Sequence, residues 1–264
     1  MSTCVSADGS RIGYEVTGDG PPLVIVDGAM CYRASGPARP LAAELASDFT
    51  VFTYDRRGRG ESAGAGEPSV AHEVEDLVAV VKEAGGAVHM FGASSGAVLA
   101  LEGATDGVGV TKLALYEPPL IVDDTHAPMP ADALSFVTGL IAEDRRGDAV
   151  KWFMKSVDVP GFALSIMRLL PVWKKLAGVA HTLPNDFALL DGLQLGKPLP
   201  ADRWQAASMP VLVADGGKSP QYMRNGAAAL ASVLPSATHR TVPGQTHIVK
   251  AKAVGPVLRD FFLG

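Results

Sequence analysis

Residues 87–104 read AVHMFGASSGAVLALEGA. The run Ala87-Val88-His89-Met90-Phe91 has the length and apolar character of a buried strand, and Ala97-Val98-Leu99-Ala100-Leu101 reads as helix. Between them, Gly92 and Gly96 frame Ser94 in the pattern G-x-S-x-G. Small flanking residues let the backbone bend sharply from strand into helix and lift the central hydroxyl clear of the sheet edge. Ser94 is therefore the candidate nucleophile, and the rest of the chain must build a fold around a strand-to-helix corner.

Upstream of that corner, strand-like runs at 3–6 and 11–16 flank the turn residues Ala7-Asp8-Gly9-Ser10, which predicts an antiparallel hairpin. Leu23-Val24-Ile25-Val26 has the β-branched, continuous apolar character of a strand buried on both faces. A helix around 40–46, a strand at 50–54 and a helix at 73–83 follow. Downstream, strands are predicted at 111–116, 210–214 and 239–242, with a helix at 219–234 and, after the last strand, a final helix ending at Phe262. Ser219-Pro220 has the pattern of an N-cap followed by proline at the first helical position. Strands alternating with helices call for a mostly parallel sheet covered on both faces.

The alternation breaks between Glu117 and Met209, where no strand is predicted and helical segments fall at 132–142, 148–156, 162–170 and 172–180. An insertion at a strand's carboxyl end sits over the mouth of the sheet. The expected division is a core of residues 1–118 and 208–264 with a helical cap of residues 119–207.

A chain of 264 residues is long enough for one sizeable core. Its net charge of −5, with no basic run longer than a pair, gives no electrostatic basis for a nucleic acid or an anionic membrane as partner. A small neutral or apolar ligand fits better. The amino terminus lacks a charged lead followed by an apolar stretch, and no segment approaches the apolar length that spans a bilayer, so a cytoplasmic protein is expected. Cys4 and Cys31 are too few for a disulfide framework and are read as ordinary thiols. The six histidines are scattered and form no His-x-x-x-His pair, so no metal site is expected.

Five segments, VIVDGAM (24–30), YDRRGRGES (54–62), GASSG (92–96), YEPP (116–119) and GQTH (244–247), occur in an order and on elements that resemble the α/β-hydrolase family over essentially the whole chain. The resemblance implies the α/β-hydrolase fold: a mostly parallel eight-stranded sheet with helices on both faces, an inserted helical cap, and a serine, acid, histidine triad in that chain order.

A serine hydroxyl is a weak nucleophile near neutral pH and needs a base within hydrogen-bond reach. His247, in the turn before the last helix, stands where the resemblance places that base. The acid is less direct. The family's usual loop beyond the seventh strand reads Gly216-Gly217-Lys218-Ser219-Pro220, and no carboxylate occurs between Asp215 and Asp260. Glu117, directly after the sixth strand, occupies a location that some relatives, including certain haloalkane dehalogenases, use for their acid, and it is the preferred candidate. Asp215, at the end of the seventh strand, is the alternative, and a dyad without a carboxylate is the third possibility.

By resemblance, the backbone N–H groups of Ala29 and Ser95 form the oxyanion hole. Asp27 stands where many relatives have histidine. A carboxylate aimed at a developing oxyanion would be repulsive, so Asp27 is expected to turn away, towards Arg33. Residues 55–62 resemble the family's structural loop beside the elbow and receive no catalytic role. Serine at position 94 excludes the epoxide hydrolase and dehalogenase chemistries, which need an aspartate there. Met30 and the cap residues Trp152, Phe153, Met154, Met167, Trp173 and Phe187 are expected to wall an apolar pocket for an ester, lactone or thioester. The leading expectation is a cofactor-free serine hydrolase acting on a small apolar ester. Perhydrolase, carbon–carbon hydrolase and lyase chemistry on the same site, or a binding protein without turnover, remain the alternatives.

Overall fold

In the computed structural model, which describes residues 2–64 and 67–264, the corner strand β5 (Val88–Ala93) lies inside an eight-stranded sheet. The other strands are β1 (Ser2–Val5), β2 (Arg11–Thr17), β3 (Pro22–Val26), β4 (Thr50–Tyr54), β6 (Val110–Tyr116), β7 (Val211–Gly216) and β8 (Ala237–Val242). Their order across the sheet is β1-β2-β4-β3-β5-β6-β7-β8. β1 and β2 pair antiparallel, as do β2 and β4, and every pairing from β4 to β8 is parallel.

Period-two alternation sorts the strand residues onto two faces. Val24, Val26, Val88 and Met90 join one core with helices α2 (Val70–Glu83), α3 (Ser95–Thr105) and α9 (Gln221–Val233). Leu23, Ile25, Phe91 and Ala93 join the opposite core with α1 (Ala38–Leu45) and α10 (Ala251–Leu263). Because both faces are covered, the buried stretches of the central strands, such as Leu23–Val26 and Leu113–Tyr116, are continuous apolar runs.

Between β6 and β7 lie α4 (Ala133–Ala142), α5 (Arg146–Ser156), α6 (Gly161–Met167), α7 (Pro171–Val179) and α8 (Leu183–Leu190). Helix α8 was not anticipated, although Pro184 in its first turn and Asp186 behind it are starting signals. It bridges two cores. Leu183 and Phe187 pack with Val137, Leu140 and Val150 of the insertion, whereas Leu189 joins the core under the sheet. Leu193, Leu199, Trp204 and Ala207 also belong to that sheet-side core, and the Trp204 indole donates to Glu102 Oε1 at 2.9 Å. The insertion's own buried core is thus narrower than residues 119–207, running from Ala133 to Phe187.

The start of α9 also differs from expectation. Pro220, in polyproline geometry (φ −52°, ψ 149°), is the N-cap, with no side-chain cap. The preceding residues instead close a turn, Ser219 N–H to Gly216 O at 2.9 Å, while Lys218 N–H donates to Gln245 O at 2.8 Å. Docking the end of β7 on the loop after β8 has taken precedence over capping the helix.

Candidate active site

Ser94 has φ +56° and ψ −129°, a backbone state that costs a non-glycine residue on the order of 1–3 kcal/mol. The surroundings hold it there. A Cβ on Gly96 would lie 2.4 Å from Val26 O, and one on Gly92 2.5 Å from Gly96 O, so only glycine lets the corner close onto β3 and the helix. Ser94 N–H donates to Tyr116 O at 2.9 Å. The residue remains half-buried, which leaves it reachable from the cavity above. A Cβ on Gly28 would lie 2.9 Å from Ser94 Cβ and 3.5 Å from its Oγ, so the Gly28–Ala29 backbone runs beside the hydroxyl.

His247 lies in the loop between β8 and α10, and the Tyr116 hydroxyl anchors that loop by donating to Thr246 O at 2.7 Å. Its Nδ1 is 2.8 Å from Glu117 Oε2. Glu117 is fully buried, and its second oxygen accepts the Gly216 N–H at 2.6 Å. Its φ is +45°. Asp215 faces a different histidine: its Oδ2 is 2.5 Å from His239 Nε2, on the adjacent strand. The structure therefore pairs His247 with Glu117 and leaves Asp215 in a separate contact.

Ser94 and His247 line one cavity of about 670 Å³. Among the described residues no hydrogen bond joins the Ser94 hydroxyl to the ring, a contact that is commonly long in sites without substrate. Met30, Met129, Met154, Met223, Phe153 and Phe187 make much of the wall, and no lysine or arginine lines it. Met30, Ser94 and Glu117 are three of the five non-glycine residues with positive φ among the described residues. The other two are aspartates, which tolerate that region better.

Trp152, Met167 and Trp173, expected in the pocket, fall outside its lining. Trp152 packs its ring against Phe136 and Phe187 at centroid distances of 5.4 and 5.2 Å, and Trp173 lies under the Arg168 guanidinium at 5.8 Å. Met167 sits half-buried at the last position of α6. Trp152 and Trp173 are consumed in packing the insertion's short helices together.

Asp27 is buried, but not against Arg33, whose guanidinium pairs with Asp55 at 2.9 Å and Glu61 at 2.8 Å. Neither Asp27 carboxyl oxygen has a hydrogen-bond partner among the described residues, and the residue does not line the cavity. Burial pushes its pKa up to about 7, against the lowering effect of Arg59 and Arg56 and with help from Asp55. The folded protein then holds a proton that the unfolded chain, at a pKa of 3.8, releases. Stability must fall as pH rises from about 4 to about 7 and level off above. Asp27→Asn cannot ionise, so it should melt on the order of 5 °C above wild type at pH 8 and match it at pH 4. Thermal melts across that range check this, and parallel curves for the two proteins would contradict it.

The sequence reading missed a buried ionic cluster beneath the Gly28–Cys31 loop. Arg56 and Arg59, from the segment given no role in chemistry, meet Asp186 of α8 through Nη1–Oδ1 and Nη2–Oδ2 contacts of 2.7 Å each. Arg56 also pairs with Glu73. The available signal was a lone aspartate in an otherwise apolar helix, LPNDFALL, which must find a cationic partner once buried. Cys31 also lines the cavity, but burial pushes its thiol up to about 12, so it offers no thiolate near neutral pH. Among the described residues no group of three or more His, Cys, Asp or Glu side chains is placed to hold a metal ion, and no helix is long and apolar enough to cross a membrane.

Residues 23–249 match the family model described as "Alpha/beta hydrolase family". The crystal structure of an alpha/beta hydrolase from Sphaerobacter thermophilus DSM 20745 superposes with a TM-score of 0.90 at 45% identity, covering 99% of this chain and 100% of that one. The esterase RhEst1 from Rhodococcus sp. ECU1013 superposes at a TM-score of 0.69 and 22% identity over 100% of this chain and 98% of that one, a likeness of fold. Among curated proteins, the uncharacterized hydrolase YraK of Bacillus subtilis (strain 168) is 28% identical over 170 residues, which span 61% of this chain and 60% of that protein.

Proposed function

The chain belongs to the alpha/beta hydrolase family, and from that premise we propose that it is a serine hydrolase of small, neutral, apolar carboxylic esters. The observation that carries this reading is the 2.8 Å contact of His247 Nδ1 with the buried Glu117 carboxylate, in a cavity that His247 shares with the elbow serine. With Nδ1–H donated to Glu117, the ring's Nε2 is left unprotonated and able to accept a proton.

In the proposed reaction, Ser94 Oγ attacks the acyl carbon while His247 Nε2 takes the hydroxyl proton. The carbonyl π electrons move onto oxygen, where the N–H groups of Ala29 and Ser95 receive the developing charge. Collapse of the tetrahedral intermediate expels the alcohol, which leaves with the proton from His247, and an acyl group stays on Ser94. Water then repeats the sequence: its proton goes to His247, its oxygen to the acyl carbon, and the carboxylic acid leaves as Ser94 regains its proton.

The lining supports the choice of substrate. Without a lysine or arginine in the wall, a carboxylate on the substrate would be desolvated with no cation to pair with. Flexible methionines fit acyl groups of varied shape. A panel of p-nitrophenyl esters tests this: butyrate and hexanoate should be hydrolysed with kcat/KM at least about 100-fold above the matching hemisuccinate, a difference of roughly 3 kcal/mol. The reading fails if the charged ester is preferred, or if neutral esters, lactones and thioesters are all left intact.

A further inference from the structure

The two backbone segments that supply the oxyanion donors converge on one carboxylate that the helical insertion contributes. Asp186, in the first turn of α8, is buried. Its Oδ1 accepts the Ser95 hydroxyl and Arg56 Nη1, each at 2.7 Å, and its Oδ2 accepts Arg59 Nη2 at 2.7 Å. The other terminal nitrogen of Arg59, Nη1, donates to Gly28 O at 2.7 Å and to Cys31 O at 3.1 Å. Arg56 Nη1 reaches Asp27 O at 3.3 Å.

The geometry of the peptide bond turns these contacts into a statement about the site. Among the described residues every peptide is trans, so the C=O and N–H of one peptide unit point in opposite directions. Gly28 O and Ala29 N–H belong to the same unit. Clamping the oxygen on Arg59 fixes the direction of the N–H across the plane, and the unit lies against Ser94. A guanidinium on the oxygen also polarises the peptide and strengthens its N–H as a donor. Ser95, which supplies the second donor, is tied by its side chain to the same Asp186. Burial alone would raise the Asp186 pKa, but the charges of Arg59 and Arg56 outweigh it and hold the carboxyl below the usual range. The anion is therefore present at any neutral working pH.

We propose that Asp186 is a positioning residue for the oxyanion hole: through Arg59 it sets the plane of the Gly28–Ala29 peptide, and through Ser95 it pins the elbow. Docking of α8 and assembly of the site are then one event. This inference rests on the serine hydrolase reading above.

Asp186→Asn keeps the shape and can still accept from Ser95, but it strips the charge that holds Arg59. The test compares it with wild type on a neutral ester and two inhibitors. One is a trifluoromethyl ketone, which adds to Ser94 and places an oxyanion in the hole; the other is the matching ether, which fills the cavity without forming one. The variant should lose about 100-fold in kcat and in ketone affinity together, with ether affinity within about twofold of wild type. Unchanged ketone affinity, or an equal loss for ketone and ether, would overturn the proposal, the second because it marks a damaged pocket. If Asp186→Asn does not fold, Arg59→Lys carries the same comparison, because an ammonium cannot bridge Gly28 O and Asp186 with a rigid fork. Wild-type ketone affinity in that variant would equally overturn the proposal. A wild-type enzyme that neither cleaves an ester nor adds the ketone would take down the serine hydrolase reading as well. Normal wild-type turnover with an equally active Asp186→Asn would remove this inference alone.

Discussion

Glu117→Gln is expected to lower kcat by about 10⁴-fold, and Asp215→Asn to leave kcat within about twofold of wild type. Glutamine preserves the size of the side chain, and its carbonyl oxygen can still accept the Gly216 N–H that Glu117 Oε1 now accepts at 2.6 Å. Its amide nitrogen would then face His247 Nδ1, where the carboxylate oxygen sits at 2.8 Å. Two donors cannot share that contact, so the ring proton moves to Nε2 and the atom that the proposed mechanism needs as proton acceptor can no longer take one. The imidazolium that forms during attack also loses its counter-charge. Asp215 meets His239, not His247, so its amide should change the stability of the β7–β8 edge without touching turnover. Steady-state kinetics of the two variants on one neutral ester make the comparison. Equal losses, or a larger loss from Asp215→Asn, would contradict the assignment.

Ser94→Ala should cost still more, about 10⁶-fold in kcat, because it removes the atom that forms the acyl-enzyme. The fold should survive. Alanine removes a single oxygen from a half-buried position, and the corner's shape is set by Gly92, Gly96 and the Ser94 N–H bond to Tyr116 O, none of which involves the hydroxyl. A melting temperature within a few degrees of wild type, together with lost turnover, separates chemistry from stability. If Ser94→Ala retained more than about 1% of wild-type activity, another nucleophile or a different mechanism would be needed.

Several parts of this picture were legible in the sequence because each followed from a local rule. Continuous β-branched runs gave the buried strands, and the glycine pair around Ser94 gave the corner, since no other residue fits there. The acid was harder. Glu117 directly follows β6 and Asp215 is the penultimate residue of the neighbouring parallel strand β7, and which carboxylate meets which histidine depends on how the loops after β6 and β8 meet. Sequence alone leaves that to three dimensions. Arg33 was assigned to Asp27 on charge complementarity, but Asp55 and Glu61 lie nearer to it in the folded protein. Asp186 escaped notice because its partners, Arg56 and Arg59, stand 130 and 127 positions away in the chain. Trp152 and Trp173 misled for the opposite reason: large aromatics on short helices serve first to bury those helices' own surface, and only the leftover face reaches a cavity.

The mechanism stands or falls on a hydroxyl activated by an imidazole contributed by a distant part of the chain. Treatment with a fluorophosphonate ester followed by mass mapping of the peptides addresses this directly. The account predicts a single adduct, on Ser94, that forms in wild type and is slowed by orders of magnitude in His247→Ala. A wild-type protein left unmodified, or an adduct on any other residue, would contradict it.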